Sequence, residues 1–306
     1  METNKNIYFK KRNNMYSTIS YGSANAGESK RSSRRLQNSP SPPLAVFCGL
    51  TVDRSGSMSN IHTTAAEGVF KCICDQIKGA EENGQNGYLF LTTFDNHITK
   101  IHNNTNFKDI DIKMEDVLAW MKPRGCTKLY DTAIQDLDNI IMAVDNYKEN
   151  LSAIVKKLNP RISTVWVCCT DGFDNYSLAT CEDFRKKVKE AKKAGVQCIF
   201  IAANQDAVLT GQQFGFDRGS SMTFGANNIG AAQAFRSVSE NIRQATASGL
   251  SVSFTQAQRV SSLATSMDNN PDSDSDYINQ SIIIGPPTIH RTRNIVPLGL
   301  KRPVFN

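Results

Sequence analysis

Four apolar runs cross the central part of the chain, and segments with helical periodicity lie between them. The runs are bounded by turn residues and cover 44–53, 87–95, 162–171 and 196–204. The first, third and fourth are almost continuously apolar, which is the pattern of strands buried on both faces of a parallel sheet. The sequence therefore predicts a mainly parallel sheet.

The segments between the runs have apolar residues at spacings of three and four, as amphipathic helices do. We expect helices over 63–80, 129–158 and 181–194. After the second run, Asp95 and Asn96 predict a turn, and the stretch HITKIH predicts an antiparallel edge strand. Together these elements indicate an α/β fold: a Rossmann-like, doubly wound, mainly parallel sheet with one antiparallel edge strand and helices on both faces.

The two ends of the chain differ in composition from its centre. Residues 1–44 are rich in Ser, Asn, Lys and Arg, and 251–306 contains an Asn-, Asp- and Ser-rich stretch followed by a Pro-containing one. Such segments bury too little apolar surface to offset the entropy lost on ordering. We therefore expect a disordered basic arm over 1–44, a folded domain over 45–250 and a largely disordered tail over 251–306.

The net charge of +6 lies entirely in the N-terminal arm, which has eight Lys and Arg residues and two Glu residues. The rest of the chain sums to zero, so its charge does not indicate a basic nucleic-acid-binding face. Any binding of nucleic acid is expected only through the basic run KRSSRR at 30–35.

The compartment is predicted from what the sequence lacks. No apolar stretch reaches the roughly 18 residues of a membrane span, and the N-terminus has no apolar block typical of a secretory signal. We expect an intracellular protein, in the cytoplasm or the nucleus. Its eight cysteines fall mostly in apolar runs and have no paired CxxC spacing, which indicates reduced core residues rather than a zinc site.

Oxygen-bearing side chains cluster at three predicted loops. The first loop, DRSGS, follows the first apolar run and contains Asp53, Ser55 and Ser57; Thr127 precedes the long helix, and Asp171 follows the third run. Ligand sites of parallel sheets form outside the carboxyl ends of the strands. Three hydroxyls and two carboxylates suit a hard divalent cation such as Mg²⁺, which prefers oxygen ligands and retains water readily. A cation held by so little negative charge would accept one more anionic oxygen from a partner.

The motifs DRSGSM, GCTKLYD and TDG, in this order and at these separations, resemble the metal-ion-dependent adhesion site of von Willebrand factor type A (vWA) domains. The resemblance covers most of 45–225, and IFIAANQDAVLTGQQFG is similar to a variant found in uncharacterised microbial and viral members. It implies that Mg²⁺, or Mn²⁺ in its place, is bound directly by three hydroxyls, those of Ser55, Ser57 and Thr127. The carboxylates of Asp53 and Asp171 would act through water. An Asp or Glu carboxylate of a protein partner would complete the coordination.

Other residues of these loops have roles that the sequence leaves open. Asp174 is either part of a solvated turn or a sixth ligand, and Met58 is either buried or at the rim of the site. Asp131 is expected in the first turn of a helix, where the helix dipole favours an acid. Cys126 stands where a glycine is common in the family, and we expect Thr127 to remain usable.

The expected function is that of a non-enzymatic protein-interaction module, which binds an acidic group of a protein partner through the metal ion. Two alternatives stay open: a metal-dependent hydrolase or phosphoryl-transfer enzyme, and a metal-free structural domain. The sequence has no GxxxxGK[ST] phosphate loop and no GxSxG nucleophile motif. It also shows no candidate base or nucleophile beside the predicted ligands, which an enzyme would need.

Overall fold

A computed structural model describes residues 41–203 and 205–264 of the chain. These residues form one six-stranded sheet with helices packed on both of its faces. The strands are β1 (Ala45–Asp53), β2 (Asn86–Phe94), β3 (Ile98–Asn106), β4 (Ile162–Thr170), β5 (Gln197–Ala203) and β6 (Ser221–Phe224). The four strands that the apolar runs predict therefore agree with the structure to within one residue at each described end.

The sheet order is β3-β2-β1-β4-β5-β6. Strand β3 pairs with β2 in the antiparallel sense, whereas all the other neighbours are parallel. The predicted fold class, a mainly parallel sheet with one antiparallel edge strand, is confirmed. The chain order reverses at β1, because β2 adds on one side of it and β4 on the other, and such a switch point leaves a crevice between strand ends.

Eight α-helices surround the sheet in the described residues. They are α1 (His62–Glu82), α2 (Met114–Trp120), α3 (Leu129–Glu149), α4 (Ala153–Lys157), α5 (Cys181–Lys193), α6 (Ala207–Gln213), α7 (Asn228–Ser248) and α8 (Gln256–Ser262). The predicted helix over 129–158 is wrong in its second half, because it is two helices. Asn150 ends α3, and the Ser152 side chain accepts a hydrogen bond from Val155 N and so caps the start of α4.

Two apolar cores lie on opposite faces of the sheet. Cys48, Leu50 and Val52 of β1 face the core covered by α1, α2 and α7, while Ala45 and Phe47 face the core covered by α3 and α5. This alternation follows from the period of two in a strand. It explains why β1 is almost continuously apolar, since all nine of its residues are buried.

The described domain extends past the predicted boundary at 250. Val252 and Phe254 are buried in the first core, and Ser262 Oγ donates a hydrogen bond to Thr223 O at 2.8 Å. Helix α8 therefore packs on β6, although 251–264 was expected to belong to the disordered tail. The remaining parts of the predicted arm and tail, 1–40 and 265–306, lie outside the described residues.

No helix within the described ranges combines the length and the apolarity that a bilayer crossing requires.

A buried carboxylate joins α3 to the centre of the sheet. Asp136 is 4% exposed, and it accepts hydrogen bonds from Thr51 Oγ1 at 2.5 Å and from Thr92 Oγ1 at 2.9 Å. Trp166 Nε1 donates to the same Thr51 hydroxyl at 2.8 Å. Burial raises the pKa of Asp136 to about 6, against the lowering effect of the two threonine hydroxyls. The ionised form is therefore less favourable in the folded chain than in the unfolded chain.

Asp136→Asn is expected to change how stability depends on pH. The pKa of Asp136 is about 6 in the folded chain and 3.8 in the unfolded chain. Its contribution to the free energy of unfolding is therefore greatest below pH 4 and is lost as the pH rises to about 6. The loss is on the order of 3 kcal/mol. Urea unfolding at intervals from pH 4 to pH 7 should show a smaller decrease in the variant than in the wild type. Asp138→Asn, at an exposed position of the same helix, is the control, and equal profiles for Asp136→Asn and the wild type would contradict the prediction.

Candidate metal centre

Asp53 is the last residue of β1, and its carboxylate is fully buried. Oδ1 accepts a hydrogen bond from Ser55 N at 2.6 Å, and Oδ2 accepts one from Thr170 Oγ1 at 2.6 Å. Burial raises the pKa of Asp53 to about 6, and the nearby charge of Asp171 adds to this rise, although the hydrogen bonds oppose it. The carboxylate is thus held in one orientation by the strand on one side and the loop on the other.

A chain of oxygen atoms continues from Asp53 to the surface. Ser55 Oγ lies 3.0 Å from Ser57 Oγ, and Ser57 Oγ donates to Asp171 Oδ1 at 2.7 Å. Ser55 is buried and Ser57 is exposed, so the cluster opens to solvent at its outer end. Burial raises the pKa of Asp171, while the hydrogen bond from Ser57 lowers it.

Thr127 lies beside the same cluster. A side chain added at Gly172 would place its Cβ 3.6 Å from Thr127 Oγ1 and 3.8 Å from Ser57 Oγ, so both hydroxyls border this glycine. The backbone of Thr127 is fixed to the loop after β4, because its N–H donates to Asn175 Oδ1 at 2.8 Å and its carbonyl accepts from Asn175 N at 3.0 Å. The structure therefore brings all five predicted residues together at one edge of the sheet. Their role as metal ligands stays a prediction.

A buried ion pair, which the sequence did not reveal, supports the first loop from the other side. Arg54 Nε donates to Asp95 Oδ2 at 3.0 Å, with the two side chains 7% and 0% exposed. The same Asp95 oxygen accepts from Arg124 Nε, and Oδ1 accepts from His97 N at 2.6 Å. Burial alone would raise the pKa of Asp95, but these hydrogen bonds and the charges of both arginines lower it.

The ion pair joins three loops. Arg54 also donates to Trp120 O at 2.9 Å and to Thr99 Oγ1 at 2.7 Å, so its guanidinium is bonded on all sides. Backbone hydrogen bonds follow the same path, from Gly56 N to Gly125 O at 3.2 Å and from Lys128 N to Asp95 O at 3.0 Å. The only sequence signal for this cluster is that two charged residues, Arg54 and Asp95, stand where apolar runs end.

Gly125 allows the second loop to turn beneath Asn96. Its φ is +68°, in the left-handed region, and a Cβ at this position would collide with Asn96 Oδ1. The next residue, Cys126, is exposed. Its side chain does not displace Thr127, which keeps both backbone hydrogen bonds to Asn175.

Asp174 and Asp131 bind backbone N–H groups rather than facing the oxygen cluster. Asp174 Oδ1 accepts from Tyr130 N at 3.2 Å and from Ser177 Oγ at 2.6 Å, close to the start of α3. Asp131 is in the first turn of α3, as expected, and accepts from Leu178 N and Ala179 N. Met58 is completely buried, which resolves the choice between burial and the rim.

The donor set fits an oxygen-binding cation. Within the described residues, no three His, Cys, Asp or Glu side chains group as a metal site, so any metal here would depend on hydroxyls and two carboxylates. The two carboxylates have raised pKa values and would be favoured in their charged form by a cation. In addition, the buried Gln205 Oε1 has no hydrogen-bond partner among the described residues, and Gln205 Nε2 lies 3.5 Å from Gly172 O. Gln205 is thereby a further polar group beside the loop that carries Asp171.

Comparison with known proteins gives matches only among solved structures. No protein-family model matches the sequence, and no curated protein sequence matches it. Proximal thread matrix protein 1 from the mussel byssus matches at 14% identity and a TM-score of 0.43, over 67% of this chain and 46% of that chain. It has also been solved with a zinc-occupied MIDAS motif, a structure that matches at 12% identity and a TM-score of 0.39 over 67% of this chain and 46% of that chain.

Two further matches are named as vWA structures. The von Willebrand factor type A structure from Catenulispora acidiphila has 10% identity and a TM-score of 0.43, over 65% of this chain and 43% of that chain. The SpRpn10 VWA domain has 13% identity and a TM-score of 0.42, over 64% of this chain and 95% of that chain. This chain spans less than half the length of the mussel and Catenulispora proteins. The chain is thus similar to structures named as vWA domains, whereas the metal site depends on the residues of this chain.

Asp95→Ala is expected to destabilise the folded chain by about 3–5 kcal/mol, because it leaves the buried Arg54 guanidinium without its counter-charge. The midpoint of urea unfolding measures this loss. Asp138→Ala is the matched control, since it breaks the exposed pair with Lys187, in which Asp138 is 56% exposed; its cost is expected to stay below about 1 kcal/mol. Similar midpoints for the two variants would show that the ion pair does not stabilise the loops.

Proposed function

We propose that this domain is a protein-interaction module that binds an acidic group of a protein partner through a Mg²⁺ ion. Ser55, Ser57 and Thr127 would hold the ion directly, and Asp53 and Asp171 would hold it through water. When bound, the ion would supply a positively charged site for a carboxylate oxygen of the partner. The module is proposed to be non-enzymatic.

The observation that carries the proposal is the convergence of oxygen atoms from three loops. Ser55, Ser57 and Asp171 form a continuous chain of short contacts beside the buried Asp53. Two carboxylates in one place repel each other, and the raised pKa of Asp53 includes this effect. A divalent cation would remove the repulsion, because its two positive charges match the two negative ones.

The distribution of charge explains why a partner would be needed. The atoms proposed to touch the ion directly are neutral hydroxyls, whereas both carboxylates would contact it only through water. Direct contact with neutral oxygens leaves the ion more electrophilic than a site with carboxylate ligands would. The exposed side of Ser57 gives a partner carboxylate access to it.

Calorimetric titration of Mg²⁺ and Mn²⁺ into the full-length, chelator-treated chain tests the metal site. We expect saturable binding at one site. Ser57→Ala should weaken binding at least about tenfold, because loss of even a group that only hydrogen-bonds to a metal ligand typically costs that much. Thr63→Ala removes an exposed hydroxyl at the start of α1 and should leave the affinity unchanged.

Two results would contradict this prediction. Equal affinities in the wild type and Ser57→Ala would mean that the ion binds elsewhere. No heat of binding at millimolar metal would favour the metal-free structural domain instead.

A further inference from the structure

Three large apolar side chains are exposed beside the candidate metal centre. Phe173, Tyr176 and Leu178 are 66%, 50% and 92% exposed. They lie in the loop between β4 and α5, and Phe173 follows Asp171 by two residues. These three side chains are referred to below as the apolar rim.

Hydrogen bonds fix the backbone of the loop that carries the apolar rim. Asn175 is bonded to Thr127 through both its N–H and its side-chain oxygen. Three residues further on, the carboxylate of Asp131 accepts from Leu178 N at 3.1 Å and from Ala179 N at 2.8 Å. The loop is therefore attached to the segment that contains Thr127. An ordered surface of this kind loses less entropy on binding than a mobile one.

Exposure of the apolar rim to water is unfavourable, because removing apolar surface from water lowers the free energy. Within 171–180, these three are the large apolar side chains that are exposed. Clustered apolar surface next to a polar site is typical of an interface.

The charges around the rim favour an acidic partner. Arg124, on the segment before Thr127, has a side chain that is 60% exposed. Lys128 Nζ lies 5.7 Å from the centre of the Tyr176 ring. Lys128 also pairs with Asp131 Oδ2 at 3.3 Å, whereas Arg54 and Arg124 share the single carboxylate of Asp95, so one positive charge of that cluster is uncompensated. A negatively charged group that approaches the metal would thus meet the exposed Arg124, and its neighbours would meet the apolar rim.

We propose that the metal centre and the apolar rim together bind a peptide segment in which an acidic residue lies next to large apolar residues. This inference rests on the proposed function, because the carboxylate is taken to bind the metal. The metal selects the acid, and the apolar rim selects the residues next to it. Phe173 and Leu178 are thereby assigned to specificity and not to metal binding.

The sequence of this chain contains a segment of the same chemistry that is suitable as a probe. Residues 270–285 contain Asp272, Asp274 and Asp276, followed by Tyr277 and Ile278. This segment lies outside the described residues, and only its sequence recommends it. A synthetic, fluorescently labelled peptide of 270–285 provides a defined ligand, and its matched control has all three Asp replaced by Asn.

Fluorescence anisotropy of the labelled peptide tests the proposal. The host is the full-length chain with Asp272→Asn, Asp274→Asn and Asp276→Asn, so that its own copy of the segment does not compete. We expect binding in Mg²⁺ that is abolished by chelator and is at least about tenfold weaker for the control peptide. Adding Phe173→Ser and Leu178→Ser to the host should weaken binding at least about tenfold, since each side chain would lose its burial against the peptide.

A second pair of substitutions controls for the loss of exposed apolar side chains in general. Ile154 and Leu158 are 77% and 75% exposed, on and directly after α4, which precedes β4 and so lies toward the opposite edge of the sheet. Ile154→Ser with Leu158→Ser should leave peptide affinity unchanged. Calorimetric Mg²⁺ binding should be the same in all hosts.

The possible failures separate the two proposals. Equal peptide affinity with and without the rim substitutions, or no peptide binding to a host that binds Mg²⁺, would overturn the role of the apolar rim alone. A peptide affinity that is unchanged by chelator, or by the Asp→Asn replacements in the peptide, would contradict the proposed function. If sedimentation shows that the rim substitutions abolish self-association of the chain, the rim joins two copies and the proposal is wrong.

Discussion

The buried carboxylate of Asp53 is the constraint on which the loops around the candidate site depend. A carboxylate removed from water requires donors, and Asp53 receives them from Ser55 N and from Thr170 Oγ1 of the neighbouring strand. Because Thr170 directly precedes Asp171, the bond that satisfies the first carboxylate also holds the second one at the same strand end. Asp53, the serines of the first loop and Asp171 therefore come together through the requirements of burial, before any cation is considered. Thr127 is held beside them by its two hydrogen bonds to Asn175.

Asp53 and its neighbour Arg54 divide the support of the site between two sides. Asp53 bonds toward β4, whereas Arg54 bonds toward β2 and β3 through Asp95 and Thr99. Each is a charged group in a nearly dry environment, and each is completed by a partner distant in sequence. The start of the first loop is consequently bonded to β4 on one side and to the β2–β3 region on the other. Arg124 links the second loop to the same Asp95.

The sequence predicts the parts of this protein that depend on local patterns. Apolar runs bounded by turn residues identified four strands, and loop composition identified the five residues that the structure brings together. Three features were not predictable in this way. The break between α3 and α4 depends on capping by Ser152, the place of α8 depends on burial of Val252 and Phe254, and the Arg54–Asp95 pair depends on a contact across 41 residues. Periodicity reports the environment of a segment but not which distant residue satisfies a buried charge.

The distance in sequence between Asp53 and Thr170 has a consequence for the order of events during folding. The two residues are 117 positions apart, and they become neighbours only when β4 pairs with β1. Contacts of such long range form late, because the chain between them must first be closed into a loop. A ribosome-bound chain that ends before β4 therefore has Asp53 and Ser57 but no assembled site. Completion of the oxygen cluster thus coincides with the pairing of β4 with β1, and a chain that ends before β4 does not present the five candidate ligands together.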